Sequence, residues 1–179
     1  MMSSQIRKTI KKFFITADNL LENMHPFILF GHAVMAYLNG IDDFRVVMEF
    51  ANPRVVTLSP VYTEEDVKNY ILIYYSGAIA EELLIGKIGI GSMNGPDSDF
   101  EKVKKYIKSY IVMVDKTVSK SLLDEELTDQ IIKYSKKFYQ MAYNILSEHI
   151  DMVRRISDAL AVNDTLSKGE IEKLLTSLQ

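Results

Sequence analysis

The sequence predicts a mainly α-helical domain with a small β hairpin or sheet, and three observations carry this. The stretch Pro26–Gly40, P-F-I-L-F-G-H-A-V-M-A-Y-L-N-G, has the length and apolarity of a buried helix. The run from Asp97 to Lys168 contains neither glycine nor proline, and its apolar residues recur every three or four positions. Between them, Phe44–Phe50 and Arg54–Leu58 are rich in β-branched residues and flank Ala51-Asn52-Pro53, as a hairpin requires.

Taken in order, the first element is a helix over residues 5–24. Ile6, Ile10, Phe13, Phe14, Ala17, Leu20, Leu21 and Met24 form its inner stripe, and Arg7, Lys8, Lys11 and Lys12 its outer face. Pro26 suits the first position of the next helix, where a missing N–H leaves nothing unpaired, and Gly40 suits its stop. After the hairpin, Thr63 and Asp66 form a capping pair before an apolar helix over Val67–Leu84. Lys87–Asp97 is glycine-rich and predicts a loop. Ser98 caps the following helix with Glu101 three residues on, and Val103, Tyr106, Ile107, Tyr110, Ile111, Val114 and Val118 continue it. Ser119–Asp129 is polar enough for a turn. The pattern resumes at Ile131 and runs through Phe138, Ala142, Ile145, His149, Val153, Ile156 and Leu160, giving a long antiparallel helical hairpin. Ser167 and Glu170 repeat the capping pattern for a last helix to Leu178.

Composition narrows the function. With 179 residues and 47% hydrophobic content the chain can bury a core without staples, and it has no cysteine, which removes thiol nucleophiles and Cys-based metal sites. A net charge of -3 over mixed lysine and acidic residues gives no domain-wide basic surface, so no nucleic-acid partner is expected. No run approaches the ~20 apolar residues of a membrane span, and the basic Gln5–Phe14 start lacks the apolar core of a signal peptide. A cytoplasmic location is expected. Gly86-Lys87 is followed by Ile88 where a phosphate-binding P-loop needs Ser or Thr, so nucleotide binding is not expected.

Gly31-His32-Ala33-Val34 matches the second half of a zinc-protease helix, H-E-x-x-H, whose two histidines share one face. The slot of the first histidine holds Ile28 and that of the glutamate holds Leu29. The helix resembles that of the peptidase domain of FtsH-type AAA+ zinc proteases, typically H-E-A-G-H-A-V-V-A. Two more stretches resemble the same family in the same order. Ser76-Gly77-Ala78-Ile79-Ala80-Glu81-Glu82-Leu83-Leu84-Ile85-Gly86 is similar to G-G-R-A-A-E-E-L-x-F-G, and Ala142–Leu175 is similar to A-x-x-I-L-x-E-H-R-D-x-L with a later T-L-x-x-x-E-I.

The resemblance implies an FtsH-type metallopeptidase-domain fold with a C-terminal helical hairpin, without the AAA+ motor. It implies one domain over 1–179, with the former active-site subdomain and small sheet in 1–100 and a helical subdomain in 101–179. Asp99 takes the slot of the family's aspartate ligand, so His32 and Asp99 would be a vestigial metal site. The same aspartate is also explained by the positive end of a helix.

A catalytic zinc of this kind takes three protein ligands, an open water position and a base. Ile28 and Leu29 can neither coordinate nor move a proton, and losing a general base alone costs ~10²- to 10⁴-fold. No catalytic residue, no metal and no cofactor are therefore expected, zinc entering only if His32 and Asp99 recruit an unidentified third ligand. His25, seven residues before His32, is about 10.5 Å away along a helix at 1.5 Å per residue, too far to share a metal. His149 is expected to pack or hydrogen-bond. Glu81 and Glu82 are candidate polar partners for His32. Tyr106, Tyr110, Tyr134, Tyr139 and Tyr143 are expected to line the core and a groove, and Lys102–Lys108 to form a solvated face. Because FtsH-type peptidase domains form rings, the resemblance implies a homo-oligomer or docking onto an FtsH-type partner, and a pseudoprotease serving as a binding or assembly module.

Overall fold

The computed structural model describes residues 24–41, 44–47, 54–57, 63–89, 95, 98–114, 124–160 and 165–176. The helix expected over residues 5–24 lies outside them, except for its last residue. Helix α1 spans Met24–Leu38, strands β1 and β2 span Phe44–Val47 and Arg54–Thr57, and helix α2 spans Glu64–Ile85. Then come α3 (Asp99–Val114), α4 (Asp124–Glu148), α5 (Ile150–Leu160), β3 (Thr165–Ser167) and α6 (Lys168–Thr176).

Pro26 sits inside the first turn of α1 and not at its first residue. The proline is tolerated there because the first four N–H groups of a helix have no partner inside it. The far end closes as expected on glycine. Gly40 adopts φ 66°, its N–H reaches the Tyr37 carbonyl at 3.0 Å, and the Ile41 N–H reaches back to Ala36 at 3.1 Å. This pair of bonds is a Schellman stop, sealed by buried Ile41 beside buried Ala36.

Helix α2 starts on a full capping box: the Asp66 N–H donates to Thr63 Oγ1 at 3.1 Å and the Thr63 N–H to Asp66 Oδ2 at 2.8 Å. It ends at Gly86, whose φ of 71° is left-handed. Between these caps the helix is apolar on most of its circumference, because α1, α3 and α4 all pack on it. The core runs through Ala33, Val34 and Met35 of α1, Ile71 and Ile79 of α2, Ile107 and Ile111 of α3, Phe138 and Leu146 of α4, Ile156 of α5 and Ile171 of α6.

Strands β1 and β2 pair antiparallel, Phe44 opposite Thr57 and Val47 opposite Arg54. A third strand joins the other edge of β1, with Val46 opposite Leu166, giving the order β2-β1-β3. Three residues are too few to show alternation, so this strand left no sequence signal. It tethers the chain just before α6, where Ser167 N–H donates to Glu170 Oε2 at 2.8 Å and Glu170 N–H to Ser167 Oγ at 3.4 Å.

Two expectations for the C-terminal half need correction. Residues 124–129, assigned to a turn, are the first turns of α4. The helix expected to run on to Leu160 breaks at His149. There the Nδ1–H of His149 donates to the Ile145 carbonyl at 2.7 Å, taking the acceptor that its own backbone N–H would use in an unbroken helix. That N–H bonds Leu146 instead, at 3.1 Å, and the chain restarts as α5.

Candidate functional site

The site lies where α1, α2 and the start of α3 meet. Two glycines set the helix spacing. A Cβ at Gly31 would stand 2.2 Å from the Ser76 carbonyl oxygen, so α1 and α2 touch backbone to backbone there. A Cβ at Gly77 would stand 2.6 Å from both His32 Nε2 and Ile28 Cγ2. His32 and Ile28, one turn apart on α1, thus lie side by side on the bare backbone of α2. Leu29 is turned into the core and is 3% exposed.

Asp99 arrives from the other direction as the first residue of α3. Ser98 precedes it as the cap, its Oγ accepting from the Glu101 N–H at 3.4 Å. The carboxylate is placed so that Oδ2 lies 3.3 Å from His32 Nε2, with both side chains close to seven-eighths buried (12% and 13% exposed). Oδ1 lies 3.5 Å from Lys102 Nζ, one turn further along α3. Burial pushes the Asp99 carboxyl upward in pKa, but contact with His32 and the nearby Lys102 ammonium outweigh it and hold the group below its ordinary value. The contact with His32 is close without being well aimed: Nε2 is buried and makes no directed hydrogen bond among the described residues.

Aromatic rings wall the pair. Tyr74 meets the His32 ring edge-on at 6.2 Å and stacks with Tyr106 at 5.7 Å, and Tyr106 in turn stacks with Tyr70 at 5.7 Å. Burial first, then the neighbouring Tyr106 and Asp99, drive the Tyr74 hydroxyl far above its ordinary pKa, so it stays protonated. The Lys102 ammonium lies over this ring, 5.2 Å from its centre. Lys102 therefore departs from the solvated face assigned to Lys102–Lys108; its signal was the i,i+3 spacing from Asp99.

The glutamates considered for His32 are engaged elsewhere. Glu81, fully buried, accepts the Gly89 N–H at 2.8 Å and pins the loop after α2. Glu82 accepts the Tyr139 hydroxyl of α4. Asp99 is the acid that meets His32 because the α3 N-terminus is aimed at α1. Of the tyrosines expected in core and groove, Tyr110 is buried and its hydroxyl donates to Glu64 Oε1 at 3.3 Å, while Tyr134 packs edge-on to it at 5.4 Å. His25 lies in the first turn of α1, ahead of Pro26. His149 sits at the α4–α5 break.

Chemically, the site offers one imidazole nitrogen and one carboxylate. Two donor atoms each ~2.0–2.1 Å from a tetrahedral zinc are separated by roughly 3.3 Å, so this spacing is compatible with a shared metal. Among the described residues no group of three or more His, Asp or Glu side chains could hold a metal ion. The donor set among the described residues stops at His32 and Asp99, short of the three protein ligands a catalytic zinc takes.

A mainly helical domain with a His–Asp pair at a glycine-spaced crossing of two helices is what the fold and site define. The chain is similar to the ATP-dependent zinc metalloprotease FtsH of Mycoplasmoides gallisepticum (strain R(high / passage 156)), at 24% identity over 172 residues. The match covers 79% of this chain but 22% of that relative's length. No protein-family model matches the chain. No helix among the described residues is long and apolar enough to cross a membrane.

Proposed function

We propose that this chain is an FtsH-peptidase-like domain without hydrolytic activity, acting as a binding or assembly module. The observation that supports it best is the company His32 keeps. Its neighbour one turn back is Ile28, beside it over Gly77, and the adjacent Leu29 is buried in the core. In the degenerate motif these are the slots of the first zinc histidine and the general base. A water next to the His32–Asp99 pair would have neither a fully held metal to acidify it nor the motif's glutamate, whose slot holds Leu29, to take its proton. Self-association, or docking onto an FtsH-type protein, is the role left to such a domain.

The test is zinc per chain by elemental analysis after purification without added metal, alongside casein hydrolysis and light scattering. Substoichiometric zinc, no cleavage and a defined oligomer are expected. Stoichiometric zinc with chelator-sensitive cleavage sinks the proposal.

The second reading is a divergent metallopeptidase that keeps a metal through His32, Asp99 and a third ligand. The metal-like 3.3 Å separation and the undirected Nε2 favour it, and the same zinc measurement decides between the two.

A further inference from the structure

A carboxylate taken out of water needs a counter-charge, and the structure holds one beside Asp99. Asp99 divides its two oxygens: Oδ2 faces His32 Nε2 at 3.3 Å and Oδ1 faces Lys102 Nζ at 3.5 Å. The ammonium, on a side chain 37% exposed, also rests over the Tyr74 ring, 5.2 Å from its centre. That ring touches His32 on its other contact. Lys102, Asp99, His32 and Tyr74 thus form a closed set drawn from α1, α2 and α3.

We propose that Lys102 is a built-in monovalent cation that takes the place of a divalent metal at Asp99 and bars one from the His32–Asp99 pair. A metal bound to Asp99 Oδ2 and His32 Nε2 would lie within a few ångströms of the ammonium and on the same carboxylate. Repulsion between a single and a double positive charge at roughly 5 Å is worth about tenfold in affinity even in water, and more where water is partly excluded. The proposal rests on the reading of His32 and Asp99 as a two-donor remnant, and it adds that the remnant is closed by charge as well as by the missing ligand.

The test uses the full chain and zinc as the only probe. Zinc affinity is measured by competition with a chelator for Ile28→His, Ile28→His/Lys102→Met and Ile28→His/Lys102→Arg, with circular dichroism confirming that each is folded. Residue 28 is chosen because its side chain borders the same point over Gly77 as His32 Nε2. Lys102→Met is expected to raise zinc affinity about tenfold over Ile28→His, and Lys102→Arg to leave it unchanged. Equal affinities for the Met and Arg variants, or a folded Ile28→His/Lys102→Met protein that ignores zinc, overturn the proposal. Stoichiometric zinc in the unaltered chain overturns the two-donor reading as well, so the two failures are told apart.

Discussion

The His32 imidazole lies directly on the backbone of Gly77, so close that a methyl group at residue 77 would stand 2.6 Å from Nε2. This relationship fixes the distance between α1 and α2 at the level of the site. Gly31 makes the matching contact one residue earlier on α1, against the Ser76 carbonyl.

Gly77→Ala should therefore lower stability by ~1–3 kcal/mol, the usual range for overpacking a close contact. Gly31→Ala should cost more, because its obstacle is a backbone oxygen and not a movable side chain. Urea denaturation of both variants gives the ranking, and a Gly31→Ala protein as stable as the parent contradicts the backbone-to-backbone crossing.

The Asp99 carboxyl titrates below its ordinary value when folded, so its charged form stabilises the native state. That contribution is complete above the unfolded value of ~3.9 and is lost as pH falls through the lower folded value. Asp99→Asn should thus be less stable than the parent at pH 7, by roughly 1 kcal/mol for a partly buried pair. The gap should shrink as pH drops below ~4. Urea melts at pH 7, 5 and 3 measure it; a gap of constant size excludes the ionised Asp99 as its source.

Phe138 is 1% exposed and packs edge-on to Tyr110 at 5.0 Å and alongside Tyr134 at 6.2 Å. Phe138→Ala should destabilise by ~3–5 kcal/mol, whereas Ile132→Ala, at a site 48% exposed on the same helix, should stay within ~0.5 kcal/mol. Similar losses from both would mean that α4 is not seated on α3 through this aromatic cluster.

His149→Leu removes the side chain that occupies the Ile145 carbonyl. The residue-149 N–H is then free to take that carbonyl and join α4 to α5. Amide exchange at residue 149 should slow by about an order of magnitude, while overall stability changes by less than ~1 kcal/mol. Unchanged exchange would assign the break to the packing of α5.

The features legible beforehand were those written within a few residues. The Thr63–Asp66 box, the Ser167–Glu170 cap and the Gly40 stop appear in the structure because a cap is made by residues three or four apart. Strand β3 escaped because its partner, β1, is remote in sequence and its own three residues carry no pattern. The His149 break escaped because neither glycine nor proline marks it; a side chain competing for its own helix's carbonyl reads as one more apolar-face histidine.

At the site, the sequence alone determined the chemistry available: His32 and Asp99 can donate to a metal or share a proton, and Ile28 and Leu29 can do neither. Only the tertiary structure decided which groups meet. It set Asp99 and not Glu81 or Glu82 against His32, and it drew Lys102 onto the same carboxylate over Tyr74. Side-chain chemistry is a property of each residue and can be read in one dimension. Which charges neutralise one another depends on where the first turn of α3, packed on α2, meets His32 at the glycine-spaced crossing of α1 and α2.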